Sequence, residues 1–132
     1  MTIAEYIKAQ PEERQAQMTA LHQAILANDK TVEPVIEAMM GKEMILYKER
    51  KYMKYGLAGV KNYISLHCMP IYMNTVLHTK YGALLPNAKI QKGCVNFTST
   101  DEFPLAVATA LISDCSGISI AEILENRNKK RK

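Results

Sequence analysis

The chain has 132 residues, 48% of them hydrophobic and 23% charged, which suits one domain with a packed core and excludes a disordered or fibrous chain. Its formal net charge of +4 is a poor nucleic-acid signature, because five of the seventeen basic residues (Arg127, Lys129, Lys130, Arg131 and Lys132) fall in 127–132. Without them twelve positive charges face thirteen negative ones, so the expected organisation is a single domain over 1–126 followed by a basic, disordered tail.

The opening MTIAEYIKAQPEER has neither a basic leader nor a continuous apolar run, and a secretion signal is not expected. No stretch reaches the ~18 consecutive apolar residues of a membrane span. Cys68, Cys94 and Cys115 are odd in number, widely spaced and in no CxxC pair, which points to reduced thiols in a cytoplasm rather than a disulfide framework or zinc knuckle.

In chain order, Thr2 with Glu5 forms a capping box for a short first helix carrying Ile3, Tyr6 and Ile7. Pro11 opens a longer helix, with Glu12 and Glu13 at the positive end of its dipole and Met18, Leu21, Ile25 and Leu26 at core spacing. His22 sits at the edge of that stripe, and Asn28-Asp29-Lys30 ends it. The segment EPVIEAMM (33–40) is predicted to be a helix, between Pro34 at its start and Gly41 beyond its end.

From Glu43 the apolar period drops to two. EMILYK is one strand, Tyr52 to Val60 a second and Tyr63 to Cys68 a third. Lys61-Asn62 joins the last two as a tight hairpin turn, since Asn tolerates positive φ. That turn fixes the register: Val60 opposes Tyr63, Ala58 opposes Ser65 and Gly56 opposes His67 on one face. On the other face Gly59 opposes Ile64, Leu57 opposes Leu66 and Tyr55 opposes Cys68. The second face is the more apolar and is assigned to the core.

Pro70 opens a helical stretch, PIYMNTVLHTKYGALL, with Gly82 as its expected break and His78 exposed. The chain then reaches Lys89 to Ala110, KIQKGCVNFTSTDEFPLAVATA. Here a Lys-x-x-Lys-Gly lead passes into a short strand, with Val95 and Phe97 on one side and Cys94, Asn96 and Thr98 on the other. Pro104 opens a helix with Leu105, Ala108, Leu111, Ile112 and Cys115 on one face, and Gly117 ends it. Ser119 with Glu122 marks a capping box for a last short helix.

Three of these segments resemble the YdhG-like family, a bacterial domain of unknown function. They are EYIKAQPEERQAQMTALHQAI, the hairpin LAGVKNYISLH, and K-x-x-K-G-x-V-x-F before a proline-initiated helix (Lys89, Lys92, Gly93, Val95, Phe97 and Pro104). Together they span roughly residues 3–115. The resemblance implies an α+β sandwich, an antiparallel sheet with helices on one face, similar in shape to frataxin. It also implies intracellular iron chaperoning, since some members are described so. The early carboxylates, Glu12 and Glu13 with Glu33 and Glu37, are the candidate iron ligands in that reading; otherwise no cofactor is expected.

The sheet face away from the core is the main candidate site. Alternation collects Lys54, Tyr63 and His67 there, with Cys94 and Asn96 from the last strand and Lys92 at its start. Large polar side chains around Gly56, Ala58 and Ser65 suggest a shallow groove for an anionic or aromatic ligand. The first expectation is therefore a binding module for a small ligand or protein partner, more plausibly non-enzymatic. A frataxin-like iron carrier is the second and an enzyme using Cys94 with His67 the third. Lys89 and Lys92 do not form a Walker loop, because Gly93 leads into a strand rather than a helix. Tyrosines interleaved with lysines raise single-stranded nucleic acid, which the near-neutral body disfavours. An exposed strand edge leaves a homodimer open.

Overall fold

A computed structural model describes residues 1–39 and 41–130. Six strands form one antiparallel sheet: β1 (Glu33–Met39), β2 (Lys42–Glu49), β3 (Tyr52–Gly59), β4 (Ile64–Cys68), β5 (Lys89–Gln91) and β6 (Cys94–Phe97), in the spatial order β1-β2-β3-β4-β6-β5. Six helices accompany it: α1 (Ile3–Lys8), α2 (Glu12–Asn28), α3 (Met69–Met73), α4 (Thr75–Leu84), α5 (Leu105–Ser116) and α6 (Ile120–Lys130). The class is α+β, an open sheet with helices in a two-layer sandwich.

The core lies between the sheet and its helices. Met18, Leu21 and Ile25 of α2 and Ala108, Leu111, Ile112 and Cys115 of α5 share it with Ile45, Tyr47, Tyr55, Leu57, Ile64, Leu66, Val95 and Phe97. Each such aliphatic side chain contributes roughly 1.5–3 kcal/mol by leaving water. Phe103 packs edge-on to Phe97 at 5.0 Å between ring centroids and pins the loop that leads to Pro104.

The β3–β4 hairpin has the register set by its Lys61-Asn62 turn: Gly59 faces Ile64, Ala58 Ser65, Leu57 Leu66, Gly56 His67 and Tyr55 Cys68. Val60 N–H donates to Tyr63 O at 2.9 Å and closes it. Two N-terminal residues hold this turn from outside. The Arg14 guanidinium donates to the carbonyls of Val60 and Lys61, and Gly59 N–H donates to Tyr6 Oη at 3.1 Å. The Thr2–Glu5 capping box is present in both directions.

Several expectations are corrected. Residues 33–39 are a strand: Val35 and Ile36 have β-branched side chains that suit a sheet, and Glu33 to Met39 pair with Lys48 to Lys42 along β2. Gly41, at φ +81°, stands in the turn between the two strands rather than at a helix end. Met40, the last residue of the expected helix, lies outside the described residues. Pro34 is tolerated because β1 is an edge strand. The break after Pro70 falls at Asn74, whose side chain accepts from Leu77 N–H at 3.1 Å and caps α4; Gly82 lies inside that helix. His78 is half-buried and Leu105 exposed. Lys89–Gln91 is a strand in its own right, joined to β6 through Lys92 and Gly93.

The expected tail is also revised, since 127–130 continue α6; Arg131 and Lys132 lie outside the described residues. By length and composition Leu105–Lys129 is apolar enough to cross a membrane. In the fold it is two helices, interrupted at Gly117, and Ala108, Leu111, Ile112, Cys115, Ile120 and Ala121 along it are buried.

Candidate functional site

The strand order sets β4 between β3 and β6, so its outward residues meet two different neighbours. Gly56, His67 and Cys94 form one row across three strands, and Ala58, Ser65 and Asn96 form the next. Small residues at 58 and 65 lower the middle of the face, and larger side chains stand around them, while the space over Gly56 is taken up by Met44 and Met53. The result is a trough of about 590 Å³ lined by Met39, Lys42, Met44, Ala58, Val60, Tyr63, Ser65, His67, Gln91, Lys92, Cys94 and Asn96.

Five of the six residues expected on this face are there: Tyr63, His67, Cys94, Asn96 and Lys92 all line the trough. Lys92 adopts φ +55° in the two-residue turn before Cys94, which sets its exposed side chain at the rim. Gly93 beside it is required by contact, because a Cβ there would lie 2.8 Å from Tyr72 Cβ and 3.0 Å from Cys68 O.

Lys54 is not in the trough. The β2–β3 register shifts between Tyr47 and Lys48, so Tyr47 faces Tyr55 while Lys48 faces Met53, and Lys54 is the extra residue of a bulge. The bulge breaks simple alternation and places the ammonium in the interior, 2.8 Å from Asp29 Oδ2.

Within the trough Cys94 Sγ lies 3.2 Å from His67 Nδ1. Burial raises the thiol above its ordinary range, against a lowering contribution from the Ser65 hydroxyl, and burial lowers the imidazole. Both shifts favour a neutral thiol beside a neutral imidazole near pH 7. This pair has the geometry of a nucleophile and base without the depressed thiol pKa that an activated cysteine needs.

Asn96 Oδ1 is buried and has no hydrogen-bond partner among the described residues. An acceptor withdrawn from water and unpaired costs about 1–3 kcal/mol, and a ligand N–H or O–H would offset that cost. None of the lining residues is acidic, whereas Lys42 and Lys92 both border the trough. Met39, Lys42, Met44, Val60 and Gln91 were not singled out in the sequence as site residues. The alternation of EMILYK carried the signal for Met44, which points away from the core side of Ile45 and Tyr47.

The four carboxylates of the iron reading are dispersed. Glu12 and Glu13 open α2, whereas Glu33 and Glu37 lie on β1. On a strand their four-residue spacing is roughly 13 Å rather than one helical turn, and Glu37 is paired with Lys48 at 2.7 Å. Among the described residues, no three His, Cys, Asp or Glu side chains come together as a metal-binding group.

The fold and the trough define an α+β sandwich domain with a recessed outer sheet face. No protein-family model, curated protein or solved structure matches the chain. The YdhG-like resemblance thus rests on the three sequence segments quoted above.

Proposed function

We propose that the chain is a small-ligand binding module whose trough takes an organic anion with an apolar body and at least one N–H or O–H donor. The observation that carries this reading is the unpaired, buried Asn96 Oδ1 in a trough bordered by two lysines and no carboxylate. Met39, Met44, Ala58 and Val60 provide the apolar surface, and Tyr63 and Ser65 provide further hydroxyl partners. The cysteine usage supports a cytoplasmic setting.

A screen of small hydroxy- and amino-substituted carboxylates by amide-resolved NMR tests it. Saturable shifts should cluster on Tyr63, Ser65, His67 and Asn96, and Asn96→Leu should weaken the binding. A screen with no saturable shift, or with shifts only elsewhere on the molecule, overturns the reading.

A further inference from the structure

The outer face of the sheet continues past the trough. β5 pairs with β6, and its register sets Lys89 beside Asn96 and Gln91 beside Cys94. Direct partners across an antiparallel pair share a face, so β5 carries this face one strand further. A second pocket of about 300 Å³ opens there against Asn62, Asn87, Lys89, Thr98 and Glu102. It shares Tyr63, Gln91 and Asn96 with the trough, and the two recesses meet along those three side chains. Their chemistry differs. The trough sets methionine, Ala58 and Val60 side chains beneath two lysines, whereas the second pocket, apart from Tyr63 and Phe97, is polar and holds four side-chain amides. Its single lysine and single carboxylate balance, and Glu102 already accepts from Thr98 N–H at 2.7 Å and Thr98 Oγ1 at 3.0 Å. Such a lining suits a neutral polar group rather than a second anion.

We infer that the two recesses form one bipartite site for a hexose glycoside of an aromatic acid, with the sugar in the pocket beside β5 and the aglycone in the trough. This rests on the organic-anion reading of the trough and names its ligand class. A carboxamide carries both donors and an acceptor, which matches a ring of hydroxyls that each donate and accept. The Tyr63 ring, common to both recesses, presents a negative π-face on which the C–H side of a pyranose packs. The donor that Asn96 Oδ1 lacks is then a sugar hydroxyl at the junction. The aglycone ring lies on the apolar floor, and its carboxylate reaches the lysines that border the trough. Because one molecule carries both parts, the second contact is intramolecular, and the glycoside binds more tightly than either part alone.

The full chain is titrated with para-hydroxybenzoate and with the para-carboxyphenyl β-glucoside and β-galactoside, followed by amide-resolved NMR. The free acid should shift Ser65 and His67. One of the glycosides should also shift Asn62, Asn87 and Thr98 and bind roughly tenfold or more tightly than the free acid. The double variant Asn62→Ala/Asn87→Ala should bring the glycoside down toward the affinity of the free acid, and the shifts on the unmodified chain keep the test decisive if that variant fails to fold. Binding of the acid in the trough with no gain from either glycoside overturns the inference and leaves the organic-anion reading standing. A gain that persists in full in the double variant also overturns it. No saturable shift with any of the three probes overturns both.

Discussion

Lys54 Nζ lies 2.8 Å from Asp29 Oδ2, and neither side chain reaches solvent. The pair is well supported. Asp29 also accepts from Tyr55 Oη at 2.7 Å and from the backbone N–H and hydroxyl of Thr31 at 2.9 and 2.5 Å. It ties the end of α2 to the β3 bulge. Removing one charge strands the other in a low-dielectric interior, which costs about 3–5 kcal/mol. Lys54→Met should therefore lower the urea unfolding midpoint strongly. Lys54→Met with Asp29→Asn should recover part of that loss, and an undisturbed midpoint in the single variant would refute this account.

The same carboxylate sets an acid limit. Burial raises the Asp29 pKa, but hydrogen bonds from Lys54, Thr31 and Tyr55 outweigh it, and the net shift is below the ordinary 3.8. A folded-state pKa below the unfolded one adds stability that is present above the unfolded value and lost as pH falls through the folded one. Stability should thus fall below about pH 4 with a component that Asp29→Asn removes. Unfolding curves between pH 5 and pH 2, taken on both proteins, measure that difference.

Glu49 holds the start of α6. Its carboxylate accepts from Ser119 Oγ at 2.6 Å and from Ala121 N–H at 3.1 Å, while Ser119 Oγ accepts from Glu122 N–H. The expected Ser119–Glu122 box is thus half formed, and Glu49, seventy residues away from Ser119 in sequence, instead accepts from the Ser119 hydroxyl and from the free Ala121 N–H of the first turn. Glu49→Ala should cost about 1–3 kcal/mol and speed amide exchange at 120–123 without affecting α2. Equal protection in the variant would show that Glu49 is dispensable there.

What was legible in the sequence is what local chemistry decides. Lys61-Asn62 fixes one hairpin, and four of the six expected trough residues (Tyr63, His67, Cys94 and Asn96) follow from period-two alternation around it and along β6, while Lys92 follows from standing just before that strand. Alternation fails at Lys54 because a bulge adds one residue, and nothing local distinguishes Lys54 from a solvent-facing lysine until Asp29 is seen beside it. Residues 33–39 were misread for a related reason. Pro34 and Gly41 punctuate a helix or an edge hairpin equally well, and pairing with β2 decides between them. The three residues of β5 are too few for any periodicity.

Gly93 is constrained by its neighbours rather than by its own backbone freedom. A methyl group there would press on Tyr72 and on the Cys68 carbonyl, which already accepts no slack in the turn because Cys68 N–H donates to Gly93 O at 2.7 Å. Gly93→Ala should cost about 1–3 kcal/mol through overpacking and shift the amide resonances of Cys68 and Cys94. Gly82→Ala, with nothing within 4 Å of the added group, is the control and should be neutral or slightly stabilising. Similar losses in both variants would sink the argument from contact.

His22 and Tyr47 make a hydrogen-bonded pair across the α2–sheet interface, Nδ1 to Oη at 2.7 Å. Burial lowers the imidazole pKa below its ordinary 6.5, so protonating it in the fold is harder than in the unfolded chain. The associated stability is present above about pH 6.5 and is lost as pH falls through the lower folded value. An NMR titration of the His22 ring should place its midpoint below that of the unfolded chain in urea. His22→Phe should abolish this pH dependence and leave the buried Tyr47 hydroxyl unpaired, at a cost of about 1–3 kcal/mol. A stability loss in His22→Phe that is recovered by adding Tyr47→Phe would assign it to the orphaned hydroxyl; no recovery would assign it to packing instead.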